Sequence, residues 1–354
     1  MLAVYIHIPF CTQICTYCDF PKMYKNDEWI DKYLNSLEKE INKYYKNEKI
    51  KTLYFGGGTP SSLNINQLKK LFEIINIFNL STDAEITFEF NPEDLTKEKL
   101  SFLKNKVNRI SIGIQTFNEK YLKYLGRKKI NIDNIKMAKN YFKNINIDLI
   151  YGIENQTLED FKQDIDQFLK LDIPHLSAYN IIIEPNTKLY IDNAKSNDDF
   201  TFDKLIEQKL KNYNHYEISN YAKKAYESKH NLIYWNNEHY YGFGLGASGY
   251  LNNIRYDNTK SLNKYLEGKY RLRENILDKN ETIQNAFILG FRKIKGINKQ
   301  DFNKRYKQDI KSFKIVQDLL KQKQLLEDET NIFINPKYIY LSNEILVKFI
   351  EKLY

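Results

Sequence analysis

Through the first half of the chain, short β-rich runs alternate with longer amphipathic, charged segments, and this alternation restricts the fold more than any other feature. The predicted strands are Ala3–Ile8, Ile50–Phe55, Ala84–Phe90, Arg109–Ile114, Ile145–Ile150 and His175–Ile181. Predicted helices lie between them at Asp27–Tyr45, Asn66–Ile77, Lys97–Lys104, Ile132–Phe142 and Leu158–Leu169. Strands joined by helices pair in parallel, so the expected fold class is α/β, as a barrel or an open doubly wound sheet. A length of 354 residues suits that domain plus a smaller one.

The residues able to carry chemistry fall at the carboxyl ends of these predicted strands, the face on which parallel α/β folds build ligand sites. Gly56-Gly57-Gly58-Thr59-Pro60 follows the second strand, and Glu89 with Asn91-Pro92 ends the third. Gln115 ends the fourth, Asp148 and Tyr151-Gly152 sit near the end of the fifth, and Tyr179 near the end of the sixth. The glycines lack the Lys-Ser/Thr of a phosphate-binding loop. They form either a tight turn or a place where a ligand approaches the main chain. Glu89 and Asp148 are acids in otherwise apolar strands and need partners. A ribose hydroxyl, an ammonium group, or a rim salt bridge to Arg109 or Arg127 would serve.

The loop after the first strand holds all 3 cysteines of the chain, Cys11, Cys15 and Cys18. The odd count and the missing secretory leader (Leu2–Ile8 is apolar but reads as a strand) argue against a structural disulfide. Three soft donors leave a metal centre one ligand short. One compact Cys-x3-Cys-x2-Cys loop suits an iron–sulfur cluster. Zinc with His7 as fourth ligand is the alternative, although structural zinc usually draws on two knuckles from separate turns. The formal charge of +9 comes from scattered, mostly lysine residues and marks no nucleic-acid face. No stretch approaches the roughly 18 apolar residues of a membrane span.

Five segments then matter in order: Tyr5-Ile-His-Ile-Pro-Phe-Cys-x3-Cys-x2-Cys18, Phe55-Gly-Gly-Gly-Thr-Pro-Ser61, Asn108-Arg-Ile-Ser-Ile-Gly-Ile-Gln-Thr-Phe117, Leu125-Gly-Arg127 and Asp148-Leu-Ile-Tyr-Gly152. Together they resemble the radical S-adenosylmethionine (SAM) superfamily. More narrowly, they resemble its coproporphyrinogen III oxidase-like branch, which includes the HemW-type heme chaperones. The resemblance continues through Tyr216-Glu-Ile-Ser-Asn220 and His230-Asn-Leu-Ile-Tyr-Trp235 to the C-terminal region. It implies a partial (β/α)6 radical-SAM barrel over residues 1–225 and a connecting segment over 226–282 with the His-Asn-x-x-Tyr-Trp motif. It also implies a C-terminal helical, winged-helix-like accessory domain over 283–354, expected to pack over the barrel mouth rather than to bind DNA.

For the site, the resemblance implies a [4Fe–4S] cluster on Cys11, Cys15 and Cys18, with SAM on the remaining iron. Tyr5 and Tyr17 would contact cluster or SAM, Gly57, Gly58 and Thr59 would receive the methionine end, and Glu89, Gln115, Arg127 and Asp148 would line the SAM site. In such proteins an electron from the cluster cleaves SAM to methionine and a 5′-deoxyadenosyl radical, and the cofactors carry the difficult chemistry.

Two features separate the branches. Phe20 stands where the oxidases have a further cysteine, and Tyr5 is nearly the first residue where the oxidases carry an N-terminal extension. The His-Asn-x-x-Tyr-Trp motif is associated with heme, which makes His230 a candidate axial ligand. The alternative for His230 is a hydrogen-bonding anchor of its segment. The family's Gly-x-Gly-Ala-His is here Gly244-Leu-Gly-Ala-Ser248. The expectation is a cytoplasmic radical-SAM-type protein that binds heme and delivers it to acceptor proteins. The alternative is an oxygen-independent coproporphyrinogen III oxidative decarboxylase. No catalytic residue is assigned. The implied partners are heme, heme-acceptor proteins and an unidentified electron donor, with no specific nucleic acid and no transmembrane segment. Peripheral membrane contact and a homodimer stay open.

Overall fold

The computed structural model of the chain describes residues 2–197 and 199–351. One sheet of 12 strands organises it. At its centre run six parallel strands: β1 (Leu2–Ile8), β2 (Ile50–Gly57), β3 (Leu80–Phe90), β4 (Arg109–Gln115), β5 (Asn144–Tyr151) and β6 (His175–Asn180), each beside its predecessor. Parallel neighbours need crossovers. These are α1 (Asp27–Tyr44), α2 (Ile65–Ile74), α3 (Lys97–Leu103), the pair α4 (Glu119–Tyr124) and α5 (Ile132–Ala138), and α6 (Leu158–Leu171).

Alternation along each strand sends Ile, Leu and Phe outward to the helices. Phe55, Phe72 and Phe88, for example, meet with ring centroids 5.5, 5.4 and 6.4 Å apart. Each such buried side chain contributes about 1.5–3 kcal/mol. Helix starts are set locally by capping boxes at Asn64/Gln67 and Thr157/Asp160. All six predicted strands form, with shifted ends. β2 runs on to Gly57 because Gly56 and Gly57 continue the ladder against His7 and Ile8. α5 stops at Ala138, where the N–H groups of Tyr141 and Phe142 both turn back to the Ala138 carbonyl.

The inward face is polar, carrying Tyr54, Glu89, Arg109, Ser111, Asn146 and Asp148 among others. The segment 226–282, read from sequence as a connector, extends the sheet. After β7 (Asn214–Glu217) and β8 (Asn220–Ala222) come β9 (His239–Phe243), β10 (Ser248–Leu251), β11 (Ile254–Asn258) and β12 (Arg271–Ile276). Strand order is β12-β11-β10-β9-β1-β2-β3-β4-β5-β6-β8-β7, so the barrel stays open between β12 and β7. β9 runs parallel to β1, from Leu2↔His239 to Ile6↔Phe243, and pairs an edge that would otherwise expose unsatisfied backbone groups.

Beyond β12, the helices Lys279–Gly290, Lys299–Tyr306, Lys314–Lys321 and Ser342–Glu351 surround a three-stranded antiparallel sheet and a core that includes Phe287, Phe291, Phe302, Phe313 and Phe349. This unit does not cover the barrel mouth as expected. It docks on the turn before β9 and on β7. Arg305 donates to the carbonyls of Asn236 and Asn237, Arg292 stacks on Trp235 at 4.6 Å, and the Ile218 N–H reaches the Arg292 carbonyl at 3.1 Å. Arg305 and Lys293 of the unit find acceptors in that turn. None of the described residues bordering the site cavity comes from it. Among the described residues, no helix is long and apolar enough to cross a membrane.

Candidate cluster and cofactor site

After β1 the chain makes a closed loop. Phe10–Cys11 pairs in parallel with Met23–Tyr24, and the N–H groups of Met23 and Lys25 reach the carbonyls of Pro9 and Cys11, each at 2.8 Å. The three cysteines sit inside that lariat, all as free thiols. The loop is pinned to the end of α4. Thr16 donates its N–H to Leu125 O (3.1 Å) and its hydroxyl to Tyr124 O (3.0 Å), and Gln13 donates to Gly126 O (2.7 Å). All three thiols border a cavity of about 410 Å³ at the carboxyl ends of the strands. That lies within the roughly 300–1,000 Å³ of small-molecule sites.

The geometry separates the two metal readings. Among the described residues, no three His, Cys, Asp or Glu groups converge closely enough to hold one metal ion. His7, the would-be fourth zinc ligand, is 2% exposed with both ring nitrogens engaged, Nδ1 with the Tyr5 hydroxyl (3.0 Å) and Nε2 with the Pro21 carbonyl (2.7 Å). A tetrahedral zinc needs ligand atoms about 2.0–2.3 Å from one centre. Three thiols bordering one cavity of that size fit a multi-iron cluster instead. Burial pushes the Cys11 thiol up to about 11, so ligation would be accompanied by proton release. Two donors stand ready for the sulfurs, Thr59 Oγ1 to Cys11 (3.4 Å) and Arg127 Nη1 to Cys15 (3.5 Å).

Two of the three glycines have a structural cause. A Cβ on Gly57, at φ +112°, would come within 2.5 Å of the His7 ring. One on Gly58 would sit 2.7 Å from the Pro9 carbonyl carbon and 2.9 Å from Phe10 N. Close approach of β2 to β1 at Gly57, and to the start of the cysteine loop at Gly58, therefore requires them, and both also border the cavity.

Tyr54, Glu89, Ser111 and Asp148 form the cavity floor. Glu89 accepts from the Tyr54 hydroxyl (2.8 Å) and Gly57 N–H (3.2 Å), and burial pushes its carboxyl up to about 7. Asp148 accepts from Asn146 Nδ2 (2.7 Å) and Ser111 Oγ (3.1 Å), and burial raises it too. Neither acid forms the rim salt bridge to Arg109 or Arg127 that was one expectation; among the described residues no such pair exists. Gln115 adopts φ +69° at a bulge in β4, an uncommon conformation for a non-glycine, and so turns its side chain to the cavity.

Of the residues singled out from sequence, Cys11, Cys15, Cys18, Tyr17, Gly57, Gly58, Thr59, Glu89, Gln115, Arg127 and Asp148 all border this one cavity. Tyr5 does not. It lies a layer below, its hydroxyl on His7 and its ring 6.1 Å from Tyr54. His230 is also elsewhere. It sits in the short helix Lys229–Trp235, 1% exposed, with Nδ1 on Thr52 Oγ1 and Nε2 on the Tyr234 hydroxyl, both 2.8 Å. Both nitrogens are engaged within the protein, the arrangement that the anchor alternative describes. Thr52 precedes Gly57 by five residues, which puts the ring roughly 16 Å below the glycine end of β2. Sequence reading passed over Tyr54 and Ser111, whose signal is polarity at inward positions of apolar strands. The mouth also carries exposed apolar side chains, Phe20 (59%), Tyr179 (40%) and Ile182 (67%).

The Radical SAM superfamily matches residues 5–168. The heme chaperone HemW of Lactococcus lactis subsp. lactis (strain IL1403) is 38% identical over 369 residues, covering 98% of this chain and 97% of that protein. Heme chaperone HemW of Bacillus subtilis (strain 168) is 36% identical over 380 residues, covering 100% of both. Among solved structures, the coproporphyrinogen III oxidase HemN of Escherichia coli, described as a radical SAM enzyme, aligns with a TM-score of 0.84 over 98% of this chain and 89% of that chain, at 23% identity. That last likeness is one of fold.

Proposed function

The chain belongs to the HemW-type heme chaperone family of the radical SAM superfamily, and from that premise we propose that it is a cytoplasmic [4Fe–4S] protein that binds SAM and heme and passes heme to acceptor proteins. The observation that carries the cofactor part is the single cavity onto which the three thiols and the two buried carboxylates open. Cys11, Cys15 and Cys18 would hold three irons. The main chain at Gly57–Thr59 would meet the amino-acid end of SAM, and Glu89 and Asp148 would accept from its ribose and amino groups. When bound, the cluster supplies a single electron at the SAM sulfonium. Thr59 and Arg127 donate to the sulfurs of Cys11 and Cys15 and would offset the charge of the ligated thiolates, while Tyr17 borders the same cavity.

For heme, the rim of Phe20, Tyr179 and Ile182 offers a flat porphyrin an apolar seat beside the cavity, and His230 serves as a structural anchor. The decarboxylase alternative has less support. The chaperones share 36–38% identity across the whole chain, whereas the oxidase shares 23%.

The test is anaerobic reconstitution followed by hemin titration. Iron and acid-labile sulfide should load together, and the Soret band should shift saturably. Zinc without sulfide would refute the cluster, a Soret band that never saturates would refute heme carriage, and protoporphyrinogen formed from coproporphyrinogen with SAM and dithionite would favour the decarboxylase.

A further inference from the structure

Arg109, the first residue of β4, is a buried charge that the cavity reading leaves without a task. It is 2% exposed, and its Nε has no hydrogen-bond partner. Among the described residues it forms no ion pair and donates no side-chain hydrogen bond. A buried cation without a partner is costly. Strand register shows where it stands. Tyr5, Tyr54, Thr87 and Arg109 are successive Cα partners across β1 to β4. Ser111, two residues further, is the Cα partner of Glu89 and part of the cavity floor. By register Arg109 is thus rooted one side-chain layer below Glu89 and two below Asp148, whose Cα partner is Gly113.

The titratable groups in its field come from every neighbouring element: Tyr54 on β2, Glu89 on β3, Asp148 on β5, His175 on β6, Tyr216 on β7 and His230 on the motif helix. Glu85, also on β3, is taken up by the N–H groups of Lys229 and His230. Glu89 additionally faces Tyr5.

We propose that Arg109 is a positioning residue of this site: from beneath the floor it supplies the positive field that keeps Glu89 and Asp148 as hydrogen-bond acceptors for the ribose hydroxyls and amino group of a SAM-class ligand. The proposal rests on the SAM reading of the cavity. A guanidinium held off contact acts on both acids at once, where a salt bridge would tie up one. Burial raises both carboxyls, and the Arg109 charge works against that rise.

Infrared titration of the carboxyl C=O band in the cluster-loaded protein reads the Glu89 protonation midpoint, with the Glu89 component identified by its loss in Glu89→Gln. Arg109→Gln should raise that midpoint by about one pH unit, a ten-fold change in the protonation constant. SAM binding at pH 7 should then weaken about five-fold, approaching ten-fold at lower pH, and recover as the pH is raised. Arg109→Lys, which keeps the charge, should hold the midpoint. Thr87→Asp should raise it, because it places a carboxylate opposite Arg109 in register and cancels the field without removing the guanidinium. That variant carries the test if Arg109→Gln does not fold. A midpoint unmoved in the folded variants, with SAM still bound by the unaltered protein, would overturn this proposal alone. If the unaltered protein binds no SAM, the cavity reading falls and this proposal falls with it.

Discussion

Replacing His230 by alanine separates the two roles a histidine in this motif could play. In the native protein the ring is 1% exposed, hydrogen-bonded through both nitrogens at 2.8 Å, and packed against Tyr54 and Tyr234 with centroids 5.0 and 4.8 Å apart. Alanine would leave the Thr52 hydroxyl and the Tyr234 phenol buried without partners, each costing about 1–3 kcal/mol. It would also leave a ring-sized gap between two tyrosines. Together the loss is about 3–5 kcal/mol, a large part of a total stability of about 5–15 kcal/mol. The helix itself should stay docked, because the N–H groups of Lys229 and His230 still reach Glu85 at 3.1 and 3.0 Å. Anaerobic urea unfolding followed by circular dichroism measures the loss, and hemin titration of the folded variant measures the other role. The expected outcome is a lower urea midpoint with an unchanged slope, and a Soret shift that still saturates. Native stability combined with a lost Soret shift would refute the reasoning and return the residue to heme.

Three further outcomes are expected. Gly58→Ala should press the new methyl into the backbone of Pro9 and Phe10, cost about 1–3 kcal/mol and lower the iron and sulfide recovered on reconstitution; full loading would show that the loop yields. Phe20→Asp should weaken hemin binding about ten-fold or more, the equivalent of losing about 1.5–3 kcal/mol of apolar burial, without changing cluster content. The third concerns pH and cluster-free protein. Burial lowers His7 to about 4 and His230 to about 3, so acid protonates the unfolded chain first and stability is lost as pH falls from about 6.5 towards those values. Burial raises Glu40, Glu89 and Glu217 to about 7, so their contributions are present at low pH and lost as pH rises from about 4.5 through 7. The two sets oppose each other between about 4.5 and 6.5. The urea midpoint should therefore change little there and drop steeply below 4.5; a steep fall already under way at pH 6 would contradict this balance.

The parallel core was legible because each strand is a local signal, with β-branched and aromatic residues in alternation next to a helical period. The site was legible for the same reason, since chemistry-bearing residues ended those strands. What escaped was non-local. β9 is a strand because β1, at the far end of the chain, has an open edge, and no window around His239–Phe243 contains that fact. Depth along the barrel escaped as well. Tyr5 points inward but lies in a layer below the cavity, and period two says which face a side chain takes without saying how far it stands from the ligand; His230, on its short helix, lies below the cavity as well. A rim salt bridge to Arg109 was one of the alternatives for Glu89 and Asp148, but its place at the start of β4 puts it in the interior. The glycines were open to two readings, a tight turn or an approach for a ligand. Neither includes the closest contacts, which are the His7 ring at Gly57 and the Pro9–Phe10 backbone at Gly58, both from segments on the far side of α1 in sequence.

The polar inner face has a consequence for how this protein can change over generations. Outward positions such as Ile110, Ile112, Ile145 and Ile147 meet other aliphatics, and one branched side chain can replace another there at modest cost. Inside, several groups answer to particular partners. Asn146 donates to Ser111 and Asp148 and accepts from Ser177, and its oxygen also meets the His175 ring, which reaches on to Tyr216. Altering one strands several. Drift in this chain is therefore expected to run along the outside of the barrel, while the inside changes only in concerted sets. A saturation mutagenesis map of tolerated residues should trace the strands as alternating permissive and forbidden positions, with the forbidden ones pointing in.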